Sequence, residues 1–254
     1  MKIGMLNLHC FHEDNLETKI SRIIDTINEC DFDVILFQEV AQLKANKIVK
    51  DNYKEGSKLL YIIEHLKCHY YSYFEAKKTG FDVLDEGQAI LSKYPLLNKR
   101  WYHISNEKSL DSWKTRIALN ADIKINDKLY TFSTIHLGWD DETEKYTDQV
   151  DALLEGLKDK EFFIGGDYNI NQESPYYGYI KQQGVISVED IIKLDTLNNP
   201  TFHFALDSGD TSKNRHIDFL FMNRKHKINE YKILLNTEET RVSDHYMIYI
   251  DIDI

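Results

Sequence analysis

Residues 116–136 read RIALNADIKINDKLYTFSTIH. Two strand candidates, residues 116–125 and 129–136, are separated only by Asn126-Asp127-Lys128, a linker too short for the crossover that parallel neighbours require. The two strands are therefore expected to form an antiparallel hairpin. Because apolar runs and helical patterns alternate through the rest of the chain, this hairpin predicts an α/β fold with a mixed sheet and argues against a purely parallel, doubly wound sheet.

Strands and helices are predicted on both sides of this hairpin. Ile20, Ile23 and Ile27 fall on one face of a helix, and residues 33–38 are nearly all apolar, as expected for a strand buried in a sheet. The further predicted strands are residues 2–8, 88–92, 161–164, 216–222, 227–235 and 245–253. The predicted helices are residues 15–29, 58–66, 142–157 and 174–181.

The composition predicts one domain, residues 1–254. Only 3 prolines and 11 glycines occur, and no stretch rich in serine, glycine or proline suggests a linker between domains. Hydrophobic residues make up 42% of the chain, which at this length is enough to build one large core.

Composition also bears on location and partners. No apolar run approaches the roughly 18–20 residues that span a bilayer, and the first residues lack the pattern of a signal peptide. The three cysteines, Cys10, Cys30 and Cys68, form no CxxC pair, so a cytoplasmic location is expected. The formal net charge of −11 disfavours an anionic membrane and nucleic acid, and nothing indicates an obligate protein partner.

Polar residues interrupt the predicted strands in an ordered way. Some stand at the carboxyl end of a strand, whereas Asp218 and the pair Asp244-His245 stand at the amino end of one. In a mixed sheet, the amino end of one strand lies beside the carboxyl ends of its antiparallel neighbours, so all of them are expected to gather at one end. The residues at carboxyl ends are Asn7, Glu39, His136, Asp167 and Asn169.

The residue types at these positions predict metal-assisted attack by water. Four are carboxylates, hard oxygen ligands that suit Mg²⁺, with Mn²⁺ as the alternative: Glu39, Asp167, Asp218 and Asp244. The asparagines can orient a water, and the histidines can donate hydrogen bonds to a phosphoryl oxygen. No nucleophilic G-x-S-x-G elbow and no phosphate-binding P-loop occurs. Each residue alone could be a solvated strand end or a turn, and only the ordered set favours a site.

Six motifs, in order, resemble those of the endonuclease/exonuclease/phosphatase superfamily over residues 5–246. They are Asn7-Leu8-His9, Gln38-Glu39-Val40, Thr134-Ile135-His136-Leu137, Gly166-Asp167-Tyr168-Asn169, His216-Ile217-Asp218-Phe219-Leu220-Phe221 and Ser243-Asp244-His245. The resemblance implies a four-layer αββα sandwich of two facing mixed β-sheets with an active site at one end.

The resemblance also implies a role for each residue. Glu39 would be the main metal ligand, assisted by Asn7 and Asp244. Asp167 would orient and deprotonate the water, and Asn169 would hold that water or a phosphoryl oxygen. The phosphoryl group would receive hydrogen bonds from His136 on one side and from His245, oriented by Asp218, on the other. Arg116 could contact phosphate, with a plain surface arginine as the equal alternative.

The middle of the chain resembles the bacterial maltose 6'-phosphate phosphatases of this superfamily, which implies a small sugar phosphate as substrate. Trp139 and Trp113 could stack on sugar rings, with packing in the core or at the rim as the alternative. The motifs that carry this resemblance are Gly80-Phe81-Asp82-Val83, Glu86-Gly87-Gln88-Ala89-Ile90-Leu91-Ser92, Trp113-Lys114-Thr115-Arg116 and His136-Leu137-Gly138-Trp139.

Several other functions remain open, each with an argument against it. A nuclease is disfavoured by the acidic charge, and Ile135-His136-Leu137 replaces the tyrosine motif of the DNA-repair branch. A sphingomyelinase-like enzyme normally needs export and an exposed apolar hairpin, neither of which the sequence indicates. A non-catalytic binding domain would be expected to lack a metal ligand or the water-activating aspartate. Binuclear metallophosphoesterases carry a G-N-H motif that is missing here.

Overall fold

The computed structural model describes residues 1–203 and 214–254. The helices are α1 (Leu16–Cys30), α2 (Lys58–Glu64), α3 (Tyr146–Glu155), α4 (Pro175–Gln182) and α5 (Val188–Ile192), and His9–Phe11 form a short 3-10 turn. The strands are β1 (Lys2–Asn7), β2 (Val34–Leu43), β3 (Ile48–Lys50), β4 (Tyr53–Lys54), β5 (Tyr71–Gly80), β6 (Leu84–Ser92), β7 (Leu97–His103), β8 (Ile117–Ile125), β9 (Lys128–His136), β10 (Phe162–Asp167), β11 (Ile186–Ser187), β12 (Asp218–Met222), β13 (Ile228–Leu234) and β14 (Met247–Ile252).

Two six-stranded mixed sheets carry the fold. The first has the order β13-β14-β1-β2-β6-β5, and the second has the order β11-β12-β10-β9-β8-β7. In the first sheet, β1 lies between its parallel neighbour β2 and its antiparallel neighbour β14, with Lys2 opposite Asp251. The amino group of Met1 donates a hydrogen bond to the carbonyl of Ile252 at 2.7 Å. Strands from the two ends of the chain therefore complete one sheet together.

The sheets pack face to face and carry helices on their outer faces. Met5 and Leu36 of the first sheet share one buried core with Phe163 and Leu220 of the second. Separate cores lie between the first sheet and helices α1 and α2, and between the second sheet and helices α3 and α4. The expected four-layer αββα sandwich is confirmed, because burial on both faces of each sheet requires a helical layer outside and a second sheet inside.

The hairpin formed by β8 and β9 has the expected antiparallel pairing. Ile125 pairs with Lys128, so only Asn126 and Asp127 form the turn. Their φ angles are 48° and 66°, and a two-residue hairpin turn of type I′ needs positive φ at both positions. Asparagine and aspartate tolerate that conformation better than most residues.

The structure corrects several sequence expectations. Strand β2 does not end near Glu39 but continues to Leu43, pairing with β6 on both sides of a register shift between Phe37 and Val40. Helix α3 begins only at Tyr146, because the Asp141 carboxylate accepts hydrogen bonds from the backbone of the preceding turn. Strands β5 and β7 were not predicted, since both lie at sheet edges and lack an apolar run.

An exposed apolar hairpin is present, contrary to the sequence expectation. At the tip of the hairpin formed by β5 and β6, Phe81 is 60% exposed and Val83 is 58% exposed. Phe81 and Asp82 both have positive φ, the conformation that a tight hairpin turn requires. Among the described residues, no helix is both long and apolar enough to cross a membrane.

Glu189 is a fully buried carboxylate in α5. Its Oε2 accepts a hydrogen bond from Ser187 Oγ at 2.8 Å, and its Oε1 has no partner among residues 1–203 and 214–254. Burial raises the pKa of Glu189 from 4.5 to about 8. Between these values the folded state keeps a proton that the unfolded state has released, so the stability contributed by this group is lost as pH rises.

Glu189→Gln should therefore raise the free energy of unfolding at about pH 9, by on the order of a few kcal/mol, and change it little at about pH 5. Chemical denaturation at both pH values measures the difference. Glu142→Gln, which changes an exposed glutamate, is the matched control and should give no pH-dependent gain. A gain from Glu189→Gln that is equal at the two pH values would contradict the assignment of a buried, titrating carboxyl.

Candidate active site

Polar side chains from both sheets meet at one end of the sandwich. In the second sheet, Asp167 at the end of β10 pairs with His136 at the end of β9 and with Asp218 at the start of β12. In the first sheet, Asn7 at the end of β1 pairs with Gln38. The Gln38 amide donates a hydrogen bond to Thr134 Oγ1 at 2.8 Å, which ties the two sheets together beside the site.

Asn7 links a carboxylate from each sheet. Its Nδ2 lies 2.9 Å from Glu39 Oε1 and 3.2 Å from Asp167 Oδ2. Its Oδ1 accepts a hydrogen bond from the backbone N–H of His9 at 3.0 Å. In this arrangement Asn7 offers its amide nitrogen, rather than its oxygen, to the two carboxylates. A metal-ligand role for Asn7 requires Oδ1 to leave the His9 backbone.

Backbone conformations that are costly for most residues place these groups. Glu39 has φ 48° at the point where the pairing of β2 with β6 shifts register, and Asn169 has φ 53°. Gly166 has φ 147°, and a Cβ there would lie 2.0 Å from the carbonyl oxygen of Ile135. A Cβ on Gly165 would lie 2.4 Å from Met5 Sδ in the facing sheet. Strained positions of this kind cluster at functional sites, and here they surround the carboxylates.

His245 is oriented by a buried carboxylate. Its Nδ1 donates to Asp218 Oδ2 at 2.9 Å, and the same oxygen accepts from the Thr201 hydroxyl at 2.6 Å. Its Nε2 then lies 3.6 Å from Asp167 Oδ2. Burial opposes the charged imidazole, but the carboxylates of Asp218 and Asp167 outweigh that cost and raise the pKa of His245. A protonated ring with Nε2 toward Asp167 is a hydrogen-bond donor at the site.

His136 lies between the two carboxylates that Asn7 links. Its Nδ1 is 3.7 Å from Glu39 Oε1, and its Nε2 is 3.5 Å from Asp167 Oδ2. Burial and the nearby positive charge of Arg116 lower the pKa of His136 well below its ordinary value. The two histidines therefore differ in charge at neutral pH although they flank the same aspartate.

Asn169 and Asp244 complete the set from the sequence. Asn169 donates from Nδ2 to the carbonyl of Leu137 at 2.8 Å and from its backbone N–H to Asp167 Oδ1 at 2.8 Å. Asp244 is mostly buried, which raises its pKa, and its Oδ1 lies 3.7 Å from His9 Nδ1. Sequence reasoning assigned no role to His9, whose Nδ1 also lies 2.8 Å from Glu13 Oε1. Its place in the Asn7-Leu8-His9 motif was the available signal.

The donor set at the carboxylates fits a divalent cation. Ligand atoms of Glu39, His136 and Asp167 lie within 4.8 Å of one another. In the part of the chain that the structure describes, no lysine or arginine forms an ion pair with Glu39 or Asp167, and histidines are their only ion-pair partners. Two like-charged carboxylates in a buried site repel unless a cation lies between them. Hard oxygen donors of this kind favour Mg²⁺ or Mn²⁺ over softer metals.

A cleft of about 760 Å³ opens above these residues. On its second-sheet side, Trp113 and Trp139 are exposed, and their ring centroids are 6.0 Å apart. On its first-sheet side, Phe81 stacks on His12 with ring centroids 5.0 Å apart. The two tryptophans therefore lie at the rim, and neither packs in the core.

Two charged groups in the cleft wall escaped sequence reasoning as site residues. Lys78 and Glu86 line the cleft beside Arg116, and only Glu86 belongs to one of the sequence motifs. Arg116 is 6% exposed, so it is not the plain surface arginine that the sequence left open. The loop of residues 104–116 spans from the second sheet to the hairpin of β5 and β6, where Thr79 N donates to the carbonyl of Leu110 at 2.6 Å.

Comparisons with known proteins agree with this arrangement. The sequence model of the Endonuclease/Exonuclease/phosphatase family matches residues 6–245. An endonuclease/exonuclease/phosphatase family protein from Leptotrichia buccalis superimposes with a TM-score of 0.90 at 24% identity, covering 100% of both chains. The mannosyl-6-phosphatase Bt3783 of Bacteroides thetaiotaomicron gives 0.75 at 18% identity, again covering 100% of both chains. D. rerio TDP2, complexed with single strand DNA product, gives 0.72 at 15% identity and covers 100% of this chain and 99% of that one. A search of curated proteins finds no match.

The family match extends from the end of β1 to His245 and so includes all six motifs. The solved structures, at their low sequence identities, show the same fold. Members of the family hydrolyse phosphate esters and generally depend on a divalent metal. The chain belongs to the endonuclease/exonuclease/phosphatase family.

Proposed function

We propose that this protein is a Mg²⁺-dependent phosphomonoesterase that hydrolyses a small sugar phosphate, such as maltose 6'-phosphate, by attack of an activated water. The observation that carries the proposal is the meeting of Glu39, Asp167 and the Asp218–His245 pair at the floor of a cleft with an aromatic rim. Carboxylates at the floor suit a metal and a general base, and aromatic faces at the rim suit a sugar ring.

Glu39 is the main cation ligand in this proposal, with Asp244 and a turned Asn7 as further ligands. A bound Mg²⁺ supplies positive charge that stabilises the phosphoryl oxygens as water attacks. Mn²⁺ offers the same chemistry through the same oxygen donors.

Asp167 orients the water and takes its proton. Its Oδ1 accepts from the backbone N–H of Asn169. Its Oδ2 accepts from Asn7 Nδ2 at 3.2 Å and also faces both histidines, so Oδ2 is the basic atom in this proposal. Burial raises the pKa of Asp167, which makes the carboxylate a stronger base. The water oxygen bonds to phosphorus, the bond from phosphorus to the sugar oxygen breaks, and the sugar oxygen takes up a proton in place of the one that Asp167 removed from water.

The remaining groups hold the phosphoryl oxygens. His245 donates from Nε2, because Asp218 keeps its Nδ1 occupied and its ring charged. His136 acts from the other side of Asp167, and Asn169 holds the water or a phosphoryl oxygen. These donors are fixed before substrate arrives, so little reorganisation is needed during the reaction.

The rim supports a sugar as the group attached to phosphate. Trp113 and Trp139 expose their rings above the floor, and the phosphatase Bt3783, named for a mannosyl 6-phosphate substrate, shares the fold. A nuclease is the second candidate, because TDP2 with bound single strand DNA product shares the fold as well. The net charge of −11 disfavours that candidate, since binding of nucleic acid draws on positive charge.

The first experiment measures phosphate release with Mg²⁺ from maltose 6'-phosphate and other sugar phosphates, alongside cleavage of DNA and RNA. Sphingomyelin vesicles belong in the same panel, because Phe81 and Val83 form an exposed apolar hairpin. We expect release from a sugar phosphate, intact nucleic acid and intact lipid. Asp167→Asn should lower kcat by about 10²–10⁴-fold without loss of fold, because only the base is removed.

Asp148→Asn, which changes an exposed aspartate of α3, is the matched control and should keep full activity. Circular dichroism and thermal unfolding check the fold of both variants. Nucleic-acid cleavage that disappears in Asp167→Asn, without sugar-phosphate turnover, would move the protein to the nuclease branch.

Removal of divalent metal with EDTA should stop turnover, and added Mg²⁺ should restore it. Binding of Mg²⁺ to Glu39→Gln should weaken by about tenfold or more, because even the outer partners of metal ligands are worth that much. Calorimetry and the Mg²⁺-dependent rise in Tm measure binding without relying on activity. Glu17→Gln, at an exposed glutamate, should bind Mg²⁺ like the wild type. Full turnover in a metal-free preparation would refute the metal role of Glu39.

Asp218→Asn should lower the pKa of His245, because the substitution removes the charge that offsets burial of the imidazolium. An NMR titration of the imidazole measures the shift directly, and kcat should fall with it. Asp148→Asn again serves as the control. An unchanged titration of His245 would show that Asp218 only packs against the ring.

A further inference from the structure

A charged wall, defined here as Lys78, Glu86 and Arg116, borders the carboxylates of the site. Lys78 in β5 pairs in register with Glu86 in β6, and its Nζ lies 2.6 Å from Glu86 Oε1. Arg116 comes from the other sheet, one residue before β8. Two cations therefore face one carboxylate, which leaves the wall with a net charge of +1.

A β-bulge in β5 directs the Lys78 side chain toward Glu86 and the cleft. The pairing of β5 with β6 shifts register between Ala76 and Lys78, so Lys77 is the extra residue of a bulge. Gly87 permits the close approach, since a Cβ there would lie 1.8 Å from the carbonyl oxygen of Glu75. The backbone is thus built to bring the lysine to Glu86 at the edge of the cleft.

Arg116 is buried and keeps unused hydrogen-bonding capacity. Its Nη1 donates to the carbonyls of Trp113 at 2.9 Å and Thr115 at 3.3 Å. Its Nε has no hydrogen-bond partner among the described residues. Nε lies beside Gly138, which lines neither the cleft nor the chamber, so Arg116 contributes its positive charge to the wall rather than this N–H group.

The wall borders a small, open side chamber next to Glu39. The chamber has a volume of about 20 Å³ and is lined by Glu39, His136 and Lys77 as well as by the charged wall. A carboxylate oxygen of Glu86 lies within 4.8 Å of one of Glu39. A space of this size holds roughly one water or one oxygen atom. A sugar, nucleoside or alkyl group is too large for it.

We propose that this chamber receives a terminal, unesterified oxygen of the substrate phosphate, with Lys78 and Arg116 as its charge partners, so that the enzyme selects phosphomonoesters over phosphodiesters. The inference rests on the proposed function and deepens it. A phosphomonoester carries about −1.5 to −2 charge at neutral pH, whereas a diester carries one negative charge. The positive wall favours the monoester, because its terminal oxygens carry more negative charge than those of a diester.

Within this arrangement Glu86 is a positioning residue. Its carboxylate holds the Lys78 ammonium at 2.6 Å, and its negative charge also attracts the guanidinium of Arg116. Without Glu86, the two cations would repel each other across the chamber. The phosphate oxygen then enters a site whose donors are already in place, which lowers the entropy cost of binding.

The test compares the Mg²⁺-loaded wild type with Lys78→Met on p-nitrophenyl phosphate and bis(p-nitrophenyl) phosphate. The wild type should prefer the monoester. Lys78→Met should lose about 10- to 100-fold in kcat/KM for the monoester, the worth of one charged hydrogen bond, and a clearly smaller factor for the less highly charged diester. Inorganic phosphate should also inhibit Lys78→Met more weakly, and Lys78→Arg should restore part of the loss.

Lys54→Met is the matched control. Lys54 forms an ion pair with Asp85, one residue before Glu86, and it is as exposed as Lys78, but it does not line the cleft or the chamber. It should leave the ratio of monoester to diester activity unchanged. If Lys78→Met unfolds, the ratio of monoester to diester activity in the wild type and in Lys78→Arg still tests the chamber assignment.

The outcomes separate the two proposals. Monoester turnover combined with equal losses on both substrates in Lys78→Met, or a wild type that prefers the diester, would overturn the chamber assignment and leave a phosphoesterase. A metal-loaded wild type that hydrolyses neither p-nitrophenyl ester nor any sugar phosphate would overturn the proposed function, and this inference with it.

Discussion

The site depends on two carboxylates that approach from different sheets, the half-buried Glu39 and the buried Asp167. Glu39 and Asp167 share the amide of Asn7, so their charges are held close together where water is scarce. Their repulsion opposes closure of the sandwich, and packing of the inner core must outweigh it. Gly165 and Gly166 make that packing close, because side chains at these positions would collide with the facing sheet or with the neighbouring strand. Close packing of the inner core therefore sets how near the two carboxylates lie and must offset their repulsion.

Sequence patterns predicted mixed sheets and the gathering of the polar residues at one end because both follow from strand direction, whereas the four-layer sandwich was implied by the family resemblance. The hairpin of residues 116–136 required mixed sheets, and mixed sheets place Asp218, at the start of a strand, opposite Asp167, at the end of another. The position of Glu39 inside β2, rather than at its end, was harder to predict, because no sequence periodicity indicates a residue with positive φ within a continuing strand. The pairing of Lys78 with Glu86 depends on β5, an edge strand whose mixed composition hid it.

The floor and the rim of the cleft are built from different parts of this molecule. The floor groups lie at or beside strand ends, apart from Glu39, which lies at the register shift inside β2. The rim comes from connections, above all from residues 104–116 and from the hairpin that carries Phe81. Such segments can change in length and composition without disturbing the sheets. A shared fold with a sugar phosphatase and with a DNA-binding enzyme is the expected result of this division.

The pairing of β1 with β14 gives the order in which the protein can be completed during synthesis. Asn7 and Glu39 emerge early, whereas Asp244 and His245 precede the strand that must settle beside β1. Until β14 has been synthesised, β1 has one open edge, and Asp244 and His245 are not held at the site by that strand. A nascent chain therefore keeps this sheet edge exposed until residues 247–252 have emerged, and the candidate site is incomplete until then.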